Sequence, residues 1–159
     1  MSYKIGQGFD VHQLELGLPF ILGGVEIDFN KGIKAHSDGD ILIHAVIDSI
    51  LGALNLGDIG AHFPSNSKWK NVSGSIMLKH IGELLFKKKY NIVNIDTTII
   101  AQAPKLASYI QFMKSNISNV LKIDQNKISI KATTTDYLGF IGKGEGIAAQ
   151  AICLIQNEE

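Results

Sequence analysis

Three side chains carry the first chemistry legible in this chain: Asp10 and His12 in the run Phe9-Asp10-Val11-His12, and His44 beyond Ala35-His36-Ser37-Asp38-Gly39-Asp40. Residues two apart in an extended segment point to one face, so Asp10 and His12 project together. His44 falls within a segment that reads as a helix starting near Asp38 or Gly39. A carboxylate and two imidazoles converging from a strand and a helix make a zinc-type ligand set. Three protein ligands leave a fourth position for water or substrate, the catalytic rather than the structural arrangement. The alternative reading is that Asp-x-His arises by chance and that His44 is a hydrogen-bonded core histidine.

Three further stretches hold groups able to act on a ligand. Ala101-Gln102-Ala103-Pro104-Lys105 sits at a strand end and turns towards a helix N-terminus, where amides and a lysine can hold an anion. A simple capped turn is the competing explanation. Ala132-Thr133-Thr134-Thr135-Asp136 ends another strand with hydroxyls and a carboxylate in series. Strand propensity accounts for the threonines but not for Asp136. Residues 139–146, with Phe140 and the cation Lys143 among glycines, form a loop that either cradles phosphate or merely turns. It is not a P-loop, because no Ser or Thr follows Lys143 and no helix pattern comes after it.

The elements that must position these groups follow from periodicity. Residues 4–12 read as a strand in which Gly6 and Gly8 let another backbone approach closely. Residues 19–27 read as a hairpin turning at Gly23-Gly24, and residues 31–39 as a loop. Asp38 or Asp40 then caps a helix running to about Leu54. That helix is apolar nearly all round, hence buried, so His44 on it requires a partner. Residues 56–67 are irregular, and a helix follows over about 73–88. Lys87-Lys88-Lys89 suits the negative pole of that helix and is no nucleic-acid patch. A strand is expected over 91–102, a helix from Pro104 through Leu121, and strands over 128–134 and 146–155. The pattern implies one α+β domain: a mixed sheet with helices on one face. The sheet's other face also carries apolar residues, which suggests a subunit interface.

Composition narrows the function classes. The 159 residues suffice for one domain with a full core. Lys+Arg and Asp+Glu both total 15, which leaves no electrostatic footprint for nucleic acid or an anionic membrane. No apolar stretch is long enough to span a bilayer, and Met1-Ser2-Tyr3-Lys4 leads directly into patterned sequence without a signal or transit peptide. A single cysteine, Cys153, excludes an internal disulfide and points to a reducing cytoplasm. Within its apolar run it reads as an inert core thiol.

In chain order, Gly8-Phe9-Asp10-Val11-His12, residues 35–40 followed by His44, Leu56-Gly57-Asp58-Ile59-Gly60, Ile100-Ala101-Gln102-Ala103-Pro104-Lys105 and Lys131-Ala132-Thr133-Thr134-Thr135 resemble the 2-C-methyl-D-erythritol 2,4-cyclodiphosphate synthase family. The likeness runs from Gly6 to Leu154. It implies a phosphorus–oxygen lyase of the non-mevalonate isoprenoid pathway. Such an enzyme converts 4-diphosphocytidyl-2-C-methyl-D-erythritol 2-phosphate to the cyclic diphosphate with release of CMP, by intramolecular metal-assisted phosphoryl transfer.

By resemblance, Asp10, His12 and His44 hold one zinc per subunit, and His36 and Thr134 stabilise the transition state. Ser37 holds the 2-phosphate, Asp10, Val11, His12 and His36 also contact substrate, and Asp58, Ile59 and Gly60 bind the methylerythritol hydroxyls. Phe63, Pro64, Ser65, Asn66 and Ser67 are a further substrate-contacting stretch. Ala101, Gln102, Ala103, Pro104, Lys105, Leu106 and Ala107, with Thr133, wall the cytidine pocket. Thr135, Phe140 and Lys143 also face substrate, and Asp136 holds magnesium or manganese. The family assembles as homotrimers with active sites between subunits, which fits the apolar second sheet face.

Five positions depart from the family pattern. Asp136 replaces a glutamate, Lys143 an arginine, Ser65 and Ser67 aspartates, and Gln7 a basic or imidazole residue. Two other functions remain distinguishable: a metal-dependent phosphohydrolase, which would use water and give linear products, and an oligomeric binding module with a structural metal. The three-ligand count and the lack of cysteine ligands speak against the second.

Overall fold

The computed structural model describes residues 1–64, 69 and 72–157. The two residues that later carry the site's strand ligands belong to β1 (Tyr3–Leu16). After it come a tight hairpin, β2 (Ile21–Leu22) and β3 (Val25–Glu26), and a short edge strand, β4 (Lys31–Ile33). Helix α1 (Ile41–Leu54), the one-turn α2 (Ile59–His62) and α3 (Gly74–Lys87) precede β5 (Tyr90–Ile100). Helix α4 (Ile110–Leu121) then leads to β6 (Ile128–Thr133), the one-turn α5 (Gly139–Gly142) and β7 (Gly146–Asn157).

Five strands form one mixed sheet in the order β4-β1-β7-β5-β6. β7 lies antiparallel between β1 and β5, while β6 runs parallel to β5 with α4 as the crossover. The register sets Asp10 opposite Ala149, Ala149 opposite Ile99, and Ile99 opposite Ala132. One row across the sheet thus links the Asp10 end of β1 to the ends of β5 and β6, where the Ala101 and Thr133 stretches begin.

Alternation assigns the two faces. Ile92, Ile95, Ile99, Ala149, Ala151, Cys153 and Ile155 are buried beneath the helices. Helix α1 lies on β1 and β7 and is covered in turn by α3, which explains its burial on nearly every side. Its contact with β1 depends on missing side chains. A Cβ on Gly6 would stand 1.9 Å from the Ser49 carbonyl oxygen, and one on Gly8 1.9 Å from that of Ala45. On the opposite face Tyr3, Ile5, Phe9, Val11 and Ile152 stay exposed. Among the described residues no helix is long and apolar enough to cross a membrane.

Several boundaries differ from the pattern read in sequence. β1 extends to Leu16, and residues 31–33 pair with it instead of forming loop, Leu14 facing Ile33. Three residues are too few to display a period of two. Helix α4 begins at Ile110 rather than at Pro104, because Leu106 is buried from within a turn and Tyr109 N–H donates to the Leu106 carbonyl. The amides beside Pro104 therefore belong to that turn and not to a helix N-terminus. Residues 59–62 and 139–142 close single helical turns inside segments expected to be irregular.

Candidate active site

The tight α1–β1 contact brings the strand and helix side chains together. With α1 resting on Gly8, His44 comes over Asp10. Asp10 Oδ2 lies 3.0 Å from His44 Nδ1, and Asp10 Oδ1 lies 3.3 Å from His12 Nδ1. The imidazole centroids are 6.0 Å apart. His44 is buried, while Asp10 and His12 keep partial access to solvent. One donor atom from each residue can be chosen such that all lie within 4.8 Å of one another.

Electrostatics tie Asp10 to the two imidazoles. Burial acts to raise the Asp10 carboxyl, but contacts with His12 and His44 outweigh it and hold it down at about 2. Burial acts to lower His44, yet the Asp10 hydrogen bond and the charges of Asp10, Asp40 and Asp38 raise it above its ordinary value. His12 Nδ1 is the exception: among the described residues it is the buried side-chain polar atom with no hydrogen-bond partner.

Such an orphan is costly unless something outside the chain satisfies it. A metal ion would. Bonds of about 2.1 Å at tetrahedral angles place neighbouring donor atoms about 3.4 Å apart, close to the spacings of both imidazoles from Asp10. The nitrogen, nitrogen and oxygen set suits a borderline divalent cation, so the residues present fit a metal.

The loop ahead of α1 supports this centre. Ser37 Oγ lies 3.5 Å from His44 Nε2, and His36 beside it is exposed. Asp40 is fully buried, caps α1 through Ile43 N–H, and also accepts from Gly23 and Gly24 N–H at 2.9 and 2.6 Å. Burial pushes its carboxyl up to about 6, against those three amide bonds. Asp38 accepts from Gly74 N–H at 2.6 Å at the start of α3. Of the two aspartates expected as helix cap, Asp40 takes that role, while Asp38 ties two helices together.

The other expected residues fall into separate groups. Asp58 caps α2, its Oδ1 accepting from Ala61 N–H at 2.9 Å, with Ile59 half-buried and Gly60 exposed beside it. Phe63 is buried, with its ring edge-on to Trp69 at 4.7 Å between centroids, so that ring serves packing. Pro64 is exposed. Ser65, Asn66 and Ser67 lie outside the described residues.

Residues 101–107 and 133–136 adjoin at the ends of β5 and β6. Ala101 N–H donates to the Thr133 carbonyl at 2.9 Å, and Tyr137 N–H to Gln102 Oε1 at 3.0 Å. Thr133, Thr134 and Asp136 are exposed there. Along the sheet, two strand spacings, about 9.5 Å, separate β5 and its 101–107 stretch from the Asp10 strand, and three, about 14 Å, separate β6 and its 133–136 stretch. The loop with Phe140 and Lys143 returns to β1, since Glu145 accepts from Leu14 N–H and Gly144 from Lys31 Nζ at 2.7 Å. The single chain gathers the triad with Ser37, and separately the 101–107 wall with 133–136. Among the described residues no hydrogen bond or ion pair joins these two groups. Sequence reasoning missed that the Asp40 carboxylate anchors the Gly23-Gly24 hairpin turn; a buried acid ahead of an apolar helix beside a turn of two glycines is the signal.

The chain belongs to the YgbB family, whose model matches residues 3–156. It is 55% identical over 155 residues to the 2-C-methyl-D-erythritol 2,4-cyclodiphosphate synthase of Clostridium kluyveri, covering 97% of this chain and 94% of that one. The synthase of Methylobacillus flagellatus is 54% identical, with 97% of each chain covered. Among solved structures, IspF of Plasmodium falciparum in complex with CDP superposes with a TM-score of 0.89 at 40% identity, covering 99% of this chain and 98% of that one. The bifunctional IspDF of Campylobacter jejuni matches with a TM-score of 0.95 at 42% identity, and this chain spans 99% of itself and 43% of that longer protein.

Proposed function

We infer that this chain is a cyclodiphosphate synthase of isoprenoid biosynthesis, a lyase. It converts 4-diphosphocytidyl-2-C-methyl-D-erythritol 2-phosphate to 2-C-methyl-D-erythritol 2,4-cyclodiphosphate and CMP. The observation that carries the reading is the Asp10–His12–His44 cluster with its orphaned His12 Nδ1, set at the same sheet end as the 101–107 wall in a member of this family. An oxygen of the 2-phosphate attacks the β-phosphorus. The bond from that phosphorus to the oxygen bridging the α-phosphate breaks, and CMP leaves with that oxygen, so no water is consumed.

Asp10, His12 and His44 are the residues to hold zinc, and Asp136 to hold magnesium or manganese. Bound there, such cations supply Lewis-acid polarisation and neutralise diphosphate charge. The chain's own groups do the positioning. Ser37 and the exposed His36 face the phosphates from beside His44, and Thr134 offers a hydroxyl towards the reacting group. Asp58 through Gly60 grip the methylerythritol hydroxyls, and residues 101–107 with Thr133 take the cytidine. Because the two groups stand strands apart in one chain, the site is completed between subunits of a homotrimer, through the exposed apolar sheet face. A single domain acting in the cytoplasm completes the reading.

Incubation with the cytidyl substrate tests it. CMP and the cyclic diphosphate in equal amounts are expected. Linear products with uptake of water would instead make the chain a phosphohydrolase.

A further inference from the structure

Asp48 has no part in the site as described, yet it joins two of its pieces. It lies one helical turn beyond His44 on α1, and residues four apart share a helix face. Its Oδ1 accepts a 2.7 Å hydrogen bond from Ile59 N–H, the first amide of α2. We propose that Asp48 is a positioning residue, which through the Ile59 amide sets the Asp58-Ile59-Gly60 turn against the metal triad. This rests on the synthase reading above, since that reading gives the turn its substrate.

Physical reasons make the turn dependent on this contact. A four-residue helix cannot sustain itself, because nucleation costs more than its few internal bonds return. The first amides of any helix also lack partners within it. Here two carboxylates serve them: Asp58 takes Ala61 N–H and Asp48 takes Ile59 N–H. Among the described residues, the Asp48–Ile59 bond is the side-chain hydrogen bond between α1 and α2. Both pieces act on Asp48 electrostatically. Burial raises its carboxyl, the Ile59 amide opposes that, and the charges of Asp58, Asp10 and His44 follow. The triad itself is held by β1 and by the backbone of α1, so losing the Asp48 acceptor frees the turn and leaves the ligands in place.

The experiment compares Asp48→Ala with Asp48→Asn, whose amide oxygen still accepts from Ile59 N–H. In Asp48→Ala, KM for the cytidyl substrate rises about tenfold with kcat altered less than about threefold. Its zinc content and affinity for CDP stay at the wild-type level, and the Ile59 amide exchanges with solvent at least about tenfold faster. Asp48→Asn stays within about threefold of wild type in KM and keeps Ile59 protected. Wild-type KM and wild-type Ile59 exchange in Asp48→Ala overturn the proposal. Parallel loss of zinc and CDP binding also overturns it, because the residue would then be general scaffold. A wild-type enzyme that makes no cyclic product sinks the synthase reading instead, and Ile59 exchange in the two variants still decides whether Asp48 holds the turn.

Discussion

Gly8 meets Ala45 so closely that a Cβ on the glycine would stand 1.9 Å from the Ala45 carbonyl oxygen. The clash would be with helix backbone, which cannot rotate away as a side-chain end can. Gly8→Ala must therefore lift α1 from β1, at a cost of about 3 kcal/mol, and carry His44 away from Asp10. The melting temperature should fall by about 10 °C, and zinc bound per chain should fall with it. Calorimetry and metal analysis check this; an unchanged metal content would detach the strand–helix contact from ligand geometry.

The same pair shows how far the sequence reaches. Gly6 and Gly8 announce that some backbone comes close, and His44 on an apolar helix announces that it needs a partner. Both follow from local chemistry. That Ala45 and Ser49 are the backbone in question depends on the crossing of α1 over β1, which no local pattern encodes. Periodicity alone places the start of α4 too early, because Leu106 falls at helical spacing with Ile110 and Met113 while being buried from a turn. The distance between the 101–107 wall and Asp10 was not legible either. It follows from the strand order β1-β7-β5-β6, in which the chain's last strand separates its first from its middle.

Metal binding should depend on pH through His44. Its imidazole holds a proton more tightly than an ordinary histidine, because Asp10 outweighs the effect of burial. A ligand nitrogen must give up that proton, so zinc affinity should rise with pH and keep rising above the ordinary imidazole value of about 6.5. Stability of the metal-free protein should move oppositely. The raised His44 contributes fully below about pH 6.5, and that contribution is lost as pH rises through its folded value. The lowered Asp10 contributes above about pH 4, and its contribution is lost as pH falls towards about 2. Zinc titration calorimetry across pH 5.5 to 8.5, roughly the window in which imidazole changes charge, checks the first trend. An affinity flat with pH would remove His44 from the ligand set.

The open sheet face supplies an assembly test. Ile5 is 69% exposed and Phe9 55%, more than a lone chain in water would favour for a contiguous sheet surface. The homotrimer proposed above would cover that face. Ile5→Asp sets a charge into the proposed contact without touching the helix-covered side, so secondary structure should persist while the trimer dissociates. Turnover should fall at least about a hundredfold, as expected when part of a catalytic site is withdrawn. Light scattering with circular dichroism reads both. A wild-type monomer with full activity would contradict the arrangement.

Asp136 is where the departure expected from the family pattern can be tested most directly. It has φ of 52° and Tyr137 has φ of 64°, and Leu138 N–H donates to the Thr135 carbonyl at 3.0 Å. Two left-handed residues closed by that bond form a tight reverse turn. Asp and Asn enter the left-handed region more readily than longer side chains, because their short polar groups bond locally. The Asp136 backbone N–H also donates to Thr134 Oγ1 at 3.2 Å, which ties the turn to the strand end. The shorter carboxylate thus suits the backbone while giving up about 1.5 Å of reach, which a hard cation can bridge through a retained water. Asp136→Asn keeps the turn and removes the charge, so turnover should fall about a hundredfold with zinc content and melting temperature unchanged. Asp136→Glu should stay within about tenfold of wild-type turnover and lose a little stability, about 0.5 kcal/mol, to left-handed strain. Activity of the zinc-loaded enzyme should further require added magnesium or manganese. Full turnover of Asp136→Asn in the presence of a chelator selective for hard cations would show that Asp136 serves the turn alone.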